Sequence, residues 1–404
     1  MAENNSKKIG LGTATITGMN AMIGAGIFAA PAVLATHVGP AGILAYIFVV
    51  ISVWFVAQSL SRVAQLFPQE GAFYTYTKQW GGHTMGLIAN ASYLIGILTA
   101  MGLLAKMSGQ FLQYFFPTMS AHSLGLIALG IIVLINVLGV SMSQLGQRIL
   151  ICCTIFPILA TIVMCLSKAN LSFLTPFAPF GFGNVIKATS VVIFGFFGFE
   201  SAASLFNVVK NPERNVPKAL TYSILLVGAL YIVFIGSIIL STPLSSFTAS
   251  KTPLLPDILK ITFPNHPWLI SIVSISIVSA ILGTIHSVVW GASSLMLSFF
   301  KKIKAPVIKN LITKKILNKK VSVILTGLTI SASYLLIQKD DLFFNFAAIF
   351  IVFAYVASIT TLLFIKEEWK SKQNIKTILG IVTASIIFAF AVQGVVAELT
   401  KLTQ

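Results

Sequence analysis

The chain reads as an all-α polytopic membrane protein: two groups of five spanning helices in inverted orientation, followed by an eleventh span. Three observations predict this. Of 404 residues, 56% are hydrophobic and only 9% are charged, with a mean hydropathy of +0.93; no soluble domain is that apolar. Eleven segments each offer the roughly 20 mostly apolar residues that a spanning helix needs. Two of them carry glycines where a membrane helix would normally avoid them, Ile23-Gly24-Ala25-Gly26-Ile27-Phe28 and Phe194-Gly195-Phe196-Phe197-Gly198-Phe199-Glu200. These interruptions occupy matching places in the two halves and predict that helices 1 and 6 are discontinuous.

The elements follow in order. Residues 1–9 form a short polar N-terminus, expected to be cytoplasmic. Residues 10–168 hold spans at 10–36, 41–67, 84–116, 122–140 and 146–167. The first runs too long for a cleavable signal and is expected to remain as a helix. Residues 169–184 are an external linker, because Thr175–Gly183 has the proline and glycine content of a loop. Residues 185–365 hold spans at 185–207, 219–241, 267–299, 321–337 and 342–365. A cytoplasmic loop, 366–376, leads to the last span at 377–397 within 377–404, whose C-terminus is then external. Each group has an odd number of spans, so the second enters from the opposite side, and an inverted repeat follows by counting.

The net charge of +17 is topological, and no nucleic-acid partner is implied. With a cytoplasmic N-terminus, twenty Lys and Arg fall on inner segments, including eight lysines within 301–320, against six outside. That bias is what the positive-inside rule demands, and it suits a bacterial-type inner membrane. The 301–320 run reads first as a solvated inner loop and second as a contact for anionic lipid. Cys152, Cys153 and Cys165 share one apolar span, so no disulfide framework is implied. Trp80, Trp268 and Trp369 sit near span ends as interfacial anchors.

Chemistry concentrates at the breaks. In lipid, unwound backbone survives only where it lines a cavity. The half-helix after Gly24, Ala25 and Gly26 turns N–H groups and a positive dipole end inward, which suits a carboxylate; close helix packing is the alternative for such small residues. Glu200 is the only acidic residue deep in a span and is read as a proton-coupling or gating residue, with a structural acceptor role as the alternative. Phe194 and Phe197 lie three apart, and Phe194 is taken as the ring facing the site. His286 and Trp290 share a helix face, His286 as a candidate contact or a packed histidine. Lys106 is read as snorkelling to the outer surface. One Glu, one clear His and no Asp in the spans do not make a membrane-embedded enzyme, and no cofactor or metal site is implied. Sodium coupling ranks low, since no carboxylate stands near the serines of the eighth span.

Together these features predict a secondary transporter, and the motifs carry a resemblance. Ile23–Phe28 with Pro31 resembles the first-helix signature of the amino acid–polyamine–organocation (APC) superfamily. Phe67-Pro68-Gln69-Glu70-Gly71, with Tyr74, Tyr76 and Gly81, looks like the family's loop after helix 2. Gly198-Phe199-Glu200-Ser201-Ala202-Ala203 and then Lys210–Pro217 are similar to helix 6 and its cytoplasmic exit, closest to the basic amino acid and polyamine antiporters of the arginine/agmatine and ornithine/putrescine type. The resemblance implies the leucine-transporter-type fold and an amino acid or polyamine substrate moved by alternating access. It implies that the backbone of Ile23, Ala25 and Gly26 holds the substrate carboxylate. Carbonyls near Phe194 and Phe197 take the amine, Phe194 stands at a gating aromatic position, and Glu200 stands at an acidic position linked to proton-dependent gating. Met101 replaces a guanidinium-binding asparagine, Val288 a tryptophan, and His286 a small or amide residue, which argues against arginine. Antiport is preferred to proton symport, a non-transporting sensor or decayed paralogue is the other alternative, and with one span after the repeat a homodimer is left open.

Overall fold

The computed structural model describes residues 9–24, 26–67, 72–139, 144–200, 209–248, 255–366, 368 and 373–401. Among them the chain is helical, with one isolated parallel bridge between Ile9 and Val209 and no sheet. The first group comprises α1 (Leu11–Met22), α2 (Gly26–His37), α3 (Gly42–Leu66), α4 (Ala72–Leu112), α5 (Ala121–Val137) and α6 (Gln144–Ser167). Then come α7 (Phe182–Lys187), α8 (Thr189–Phe194), α9 (Pro212–Ser241), α10 (Leu244–Thr248), α11 (Leu255–Thr262) and α12 (Pro267–Lys302). The chain closes with α13 (Pro306–Thr313), α14 (Lys319–Leu336), α15 (Asp340–Ile359) and α16 (Gln373–Thr400).

Among the described residues, six helical stretches are long and apolar enough to cross a membrane: Gly39–Leu66, Phe73–Leu112, Pro212–Ser241, Pro267–Lys302, Asp340–Phe364 and Gln373–Thr400. Of the other predicted spans, 146–167 lies within α6 and 321–337 ends one residue early in α14, while the rest are shorter or interrupted. The 10–36 segment is two helices with a break at Ile23–Gly24, and the 185–207 segment is helical to Phe194, turns through 195–199 and is helical again at Glu200, where its described part ends. The predicted 84–116 span begins just past a kink at Gly82 (φ +68°), a left-handed conformation suited to glycine. It stops at Leu112, four residues early, where Tyr114–Phe116 turn outward ahead of Pro117. The 122–140 segment stops at Val137, before Gly139 at φ +81°. Short helices α10, α11 and α13 were not legible in hydropathy, because they lie in connections.

Side chains sort as a membrane solvent requires. α4 is the central column, packed against α5, α12, α14 and α15, while α9 packs against α1 and α3. Ile47, Ile131, Val163 and Leu226 are among many large apolar residues left outward-facing, as lipid contact permits. Buried hydroxyls turn back onto carbonyls one turn earlier, as at Thr15 to Leu11 and Thr326 to Ser322. Lys106 reaches the α14–α15 connection, where Nζ lies 2.7 Å from both the Gln338 carbonyl and Asp340 Oδ1.

Candidate functional site

The two breaks meet. A methyl added to Gly26 would lie 2.8 Å from the Cα of Gly195, so the start of α2 touches the end of α8 backbone to backbone. At Gly198, φ is +108° and an added methyl would collide with the Ala21 carbonyl of α1. At Gly24 such a methyl would sit 2.5 Å from Thr284 Oγ1 of α12. Glycine is thus required at both breaks by close approach, and at Gly198 by backbone conformation as well.

Tyr231 of α9 ties the breaks together. Its hydroxyl lies 2.9 Å from the Met22 carbonyl and 3.1 Å from the Gly195 carbonyl, and the residue is wholly buried. Both acceptors are carbonyls at helix ends, and the Met22 carbonyl also accepts from the Gly24 N–H at 2.8 Å. On the other side of each break the α2 N-terminus presents the first-turn N–H groups of Gly26–Phe28, which have no acceptor within their own helix. Tyr231 thus joins a carbonyl from each break beside the start of α2, where Gly26 touches Gly195.

Glu200 follows the second break and is held by three donors. Tyr93 of α4 donates to Oε1 at 2.5 Å, Tyr355 of α15 donates to Oε2 at 2.6 Å, and the Gly198 N–H donates to Oε2 at 3.0 Å. Phe73 stacks on Tyr93 at 4.2 Å and Phe199 lies against Tyr355 at 5.0 Å, so rings surround the triad. The carboxyl group is thus a fastener between the broken helix, α4 and α15.

Phe194 packs edge-on against Phe344 of α15 at 5.0 Å and against Phe197 at 5.9 Å. A methyl on Gly26 would lie 3.4 Å from its Cδ1, so this ring covers the junction of the breaks. Met101 is buried in α4, eight residues or about 12 Å beyond Tyr93.

The predicted residues divide accordingly. Ile23, Gly24, Gly26, Phe194, Gly198 and Glu200 are brought to the meeting of the breaks, with Phe197 against Phe194. Ala25 lies outside the described residues, as do Pro68–Gly71, Ser201–Ala203 and Trp369. His286 is not brought in. Thr284 faces Gly24, and a residue two places on points to nearly the opposite side of a helix; there His286 Nδ1 meets the Asn136 amide of α5 at 2.9 Å. Tyr93, Tyr231, Thr284, Phe344 and Tyr355 were missed. The available signal was that a tyrosine inside an apolar span needs a partner for its hydroxyl.

Residues 14–400 match the profile of a family described as Amino acid permease. Among curated relatives, the Branched-chain amino acid permease BcaP of Bacillus subtilis (strain 168) is 24% identical over 310 residues, covering 72% of this chain and 66% of that protein. An uncharacterized transporter of Mycobacterium bovis is 24% identical over 74% of this chain and 67% of its own length. The Glutamate/serine transporter AimA of Bacillus subtilis is 26% identical over 57% of this chain and 48% of its own. The chain thus spans just under two thirds of the first relative and about half of the last.

Proposed function

The chain belongs to the amino acid permease family, a family of transporters and not of enzymes, and on that premise we propose that it moves amino acids across the membrane by alternating access. The observation that carries this is the contact of the two breaks, Gly26 on Gly195, with Tyr231 holding a carbonyl of each. A zwitterionic backbone needs donors for its carboxylate and acceptors for its amine. The α2 start supplies the first, and the unwound carbonyls near Phe194 and Phe197 supply the second. Ile23, Gly24, Ala25 and Gly26 form the carboxylate side of the proposed site.

The two groups of five helices act as the inverted repeat of an eleven-span, leucine-transporter-type fold, rocking about this site. Glu200 is the proton-sensitive latch: its bonds to Tyr93 and Tyr355 hold the broken helix against α4 and α15, and rearranging them frees it. Phe194, on Phe344, is the ring that opens and closes over the substrate.

The side chain bound is uncharged and apolar. Phe194, Phe197 and Phe344 supply apolar surroundings, and both oxygens of Glu200 are already engaged, which disfavours a second cationic group such as arginine or a polyamine carries. The relatives named for branched-chain substrates and for glutamate or serine support amino acids as the class. Exchange is preferred to proton symport because the helix 6 block resembles the antiporters.

The test is labelled-substrate flux in proteoliposomes holding the full chain. Leucine-type amino acids are expected to compete for uptake, with arginine and putrescine ineffective. External amino acid is expected to accelerate exit of internal label. Net uptake driven by a pH gradient alone would replace exchange with symport, and binding without flux would replace transport with sensing.

A further inference from the structure

His286 does not meet the breaks, yet it is not buried in a filled core. It lines a cavity of about 720 Å³ between the outer end of α4, α5 and α12, whose other walls include Phe116, Leu124, Ala128, Ile131 and Leu282. That volume is in the range of small-molecule sites. The α5 wall runs from Leu124 to Ile135, eleven residues or about 16 Å, close to half the roughly 30 Å apolar thickness of a bilayer. Phe116 and Ile131 at the lip are half exposed, so the cavity opens sideways toward lipid, with His286 along its wall.

The hydrogen bonds fix what His286 offers. Asn136 Nδ2 donates to the Ile132 carbonyl at 2.9 Å, and a carbonyl can only accept, so this end of the amide is the NH₂. Its second N–H points to His286 Nδ1 at 2.9 Å, which makes Nδ1 the acceptor and leaves the proton of the neutral ring on Nε2. His286 is only 8% exposed, Nε2–H is its remaining donor, and Ser279 is the one other polar side chain on a cavity wall that is otherwise aliphatic and aromatic. A lipid tail cannot accept that bond, and a donor left facing hydrocarbon is costly. Water needs two to four polar partners, and Ser279, seven residues or about 10 Å along α12 from His286, is too far for one water to meet both. No charged residue lines the cavity, so an ion is excluded too.

We propose that this groove is a second, lipid-accessible ligand site, taking an uncharged lipophile of one chain's width that ends in a single hydroxyl or carbonyl oxygen. The oxygen accepts from His286 Nε2–H, and the chain lies along α5. Because Thr284 touches Gly24 from the other face of the same helix turn, occupancy of the groove bears on the helix that braces the first break.

The experiment uses the full chain in vesicles with a photoreactive sixteen-carbon alcohol as probe. Cross-links are expected on α5 and α12 at the groove, displaced by unlabelled hexadecanol but not by hexadecane. Ile131→Trp, at the exposed lip, and Ala128→Phe, at the wall, are each expected to abolish labelling by occupying the groove. His286→Phe is expected to weaken it about fivefold, the effect of one net hydrogen bond. Thermal unfolding of each variant establishes that it is folded; Ile131→Trp decides the matter if Ala128→Phe is not. Equal displacement by hexadecane, labelling that persists in Ile131→Trp, or a diacyl phospholipid probe that labels the groove equally in wild type and His286→Phe would each overturn the proposal. These readouts do not involve amino acid flux, so failure here and failure of the transport reading are distinguishable.

Discussion

At the residue scale, a few polar side chains hold unwound backbone in a medium that offers no water. Tyr231 meets two helix-end carbonyls with one hydroxyl. Tyr231→Phe keeps the ring and removes the donor, so it is expected to cost about 1–3 kcal/mol, the range for stranding buried polar groups, read as a lower unfolding temperature in detergent and weaker substrate binding. Glu200 is different, because its partners join three helices. Glu200→Gln places an NH₂ where one carboxylate oxygen accepted, so either the Gly198 N–H or a tyrosine hydroxyl loses its acceptor. Uptake by this variant is expected to lose its dependence on pH while substrate binding survives; a pH profile unchanged from wild type would remove Glu200 from the gating role. None of the three tyrosines was identifiable from the sequence as a partner. Tyr93 and Tyr355 stand 107 and 155 positions from Glu200, and only folding reveals such pairs.

At the element scale, the interruptions of helices 1 and 6 were legible as glycine runs in apolar segments. Their contact was not. Gly26 has no room for a side chain because Gly195 backbone occupies it, and Gly198 has neither the room nor the φ for one. Gly26→Val is therefore expected to abolish transport, with an overpacking cost of about 1–3 kcal/mol, and Gly198→Ala to do the same by holding the second break open. Equilibrium binding and initial uptake rates check both. Gly12, whose added methyl meets open space, serves as the control: Gly12→Ala should leave uptake unchanged. Element ends were less legible: α9 starts at Pro212, seven residues before the span expected at 219–241. They were misjudged where hydropathy continued past a turn, as at Phe115 and Phe116 beyond α4. On α12, periodicity put His286 on a helix face but did not show which face turns inward; the contact of Thr284 with Gly24 decides that.

At the scale of the whole molecule, the lysine distribution predicts orientation. In a cysteine-free background, a single cysteine at Asn310 in the basic connection is expected to be shielded from an impermeant maleimide in intact cells, and one at Thr400 to be labelled. The reverse pattern would invert the molecule, and labelling of neither would reduce the span count from eleven to an even number. By itself the sequence determined that this chain lives in a membrane, that it is helical, and that two of its helices are interrupted, because hydropathy, glycine content and charge are properties of neighbouring residues. Tertiary structure alone decided which groups meet: Gly26 with Gly195, Tyr231 with both breaks, Glu200 with Tyr93 and Tyr355, and His286 with Asn136 instead of the breaks. Those contacts join residues far apart in the chain, and in an apolar medium each arises only when helix packing brings a donor to an acceptor that would otherwise stay unmet.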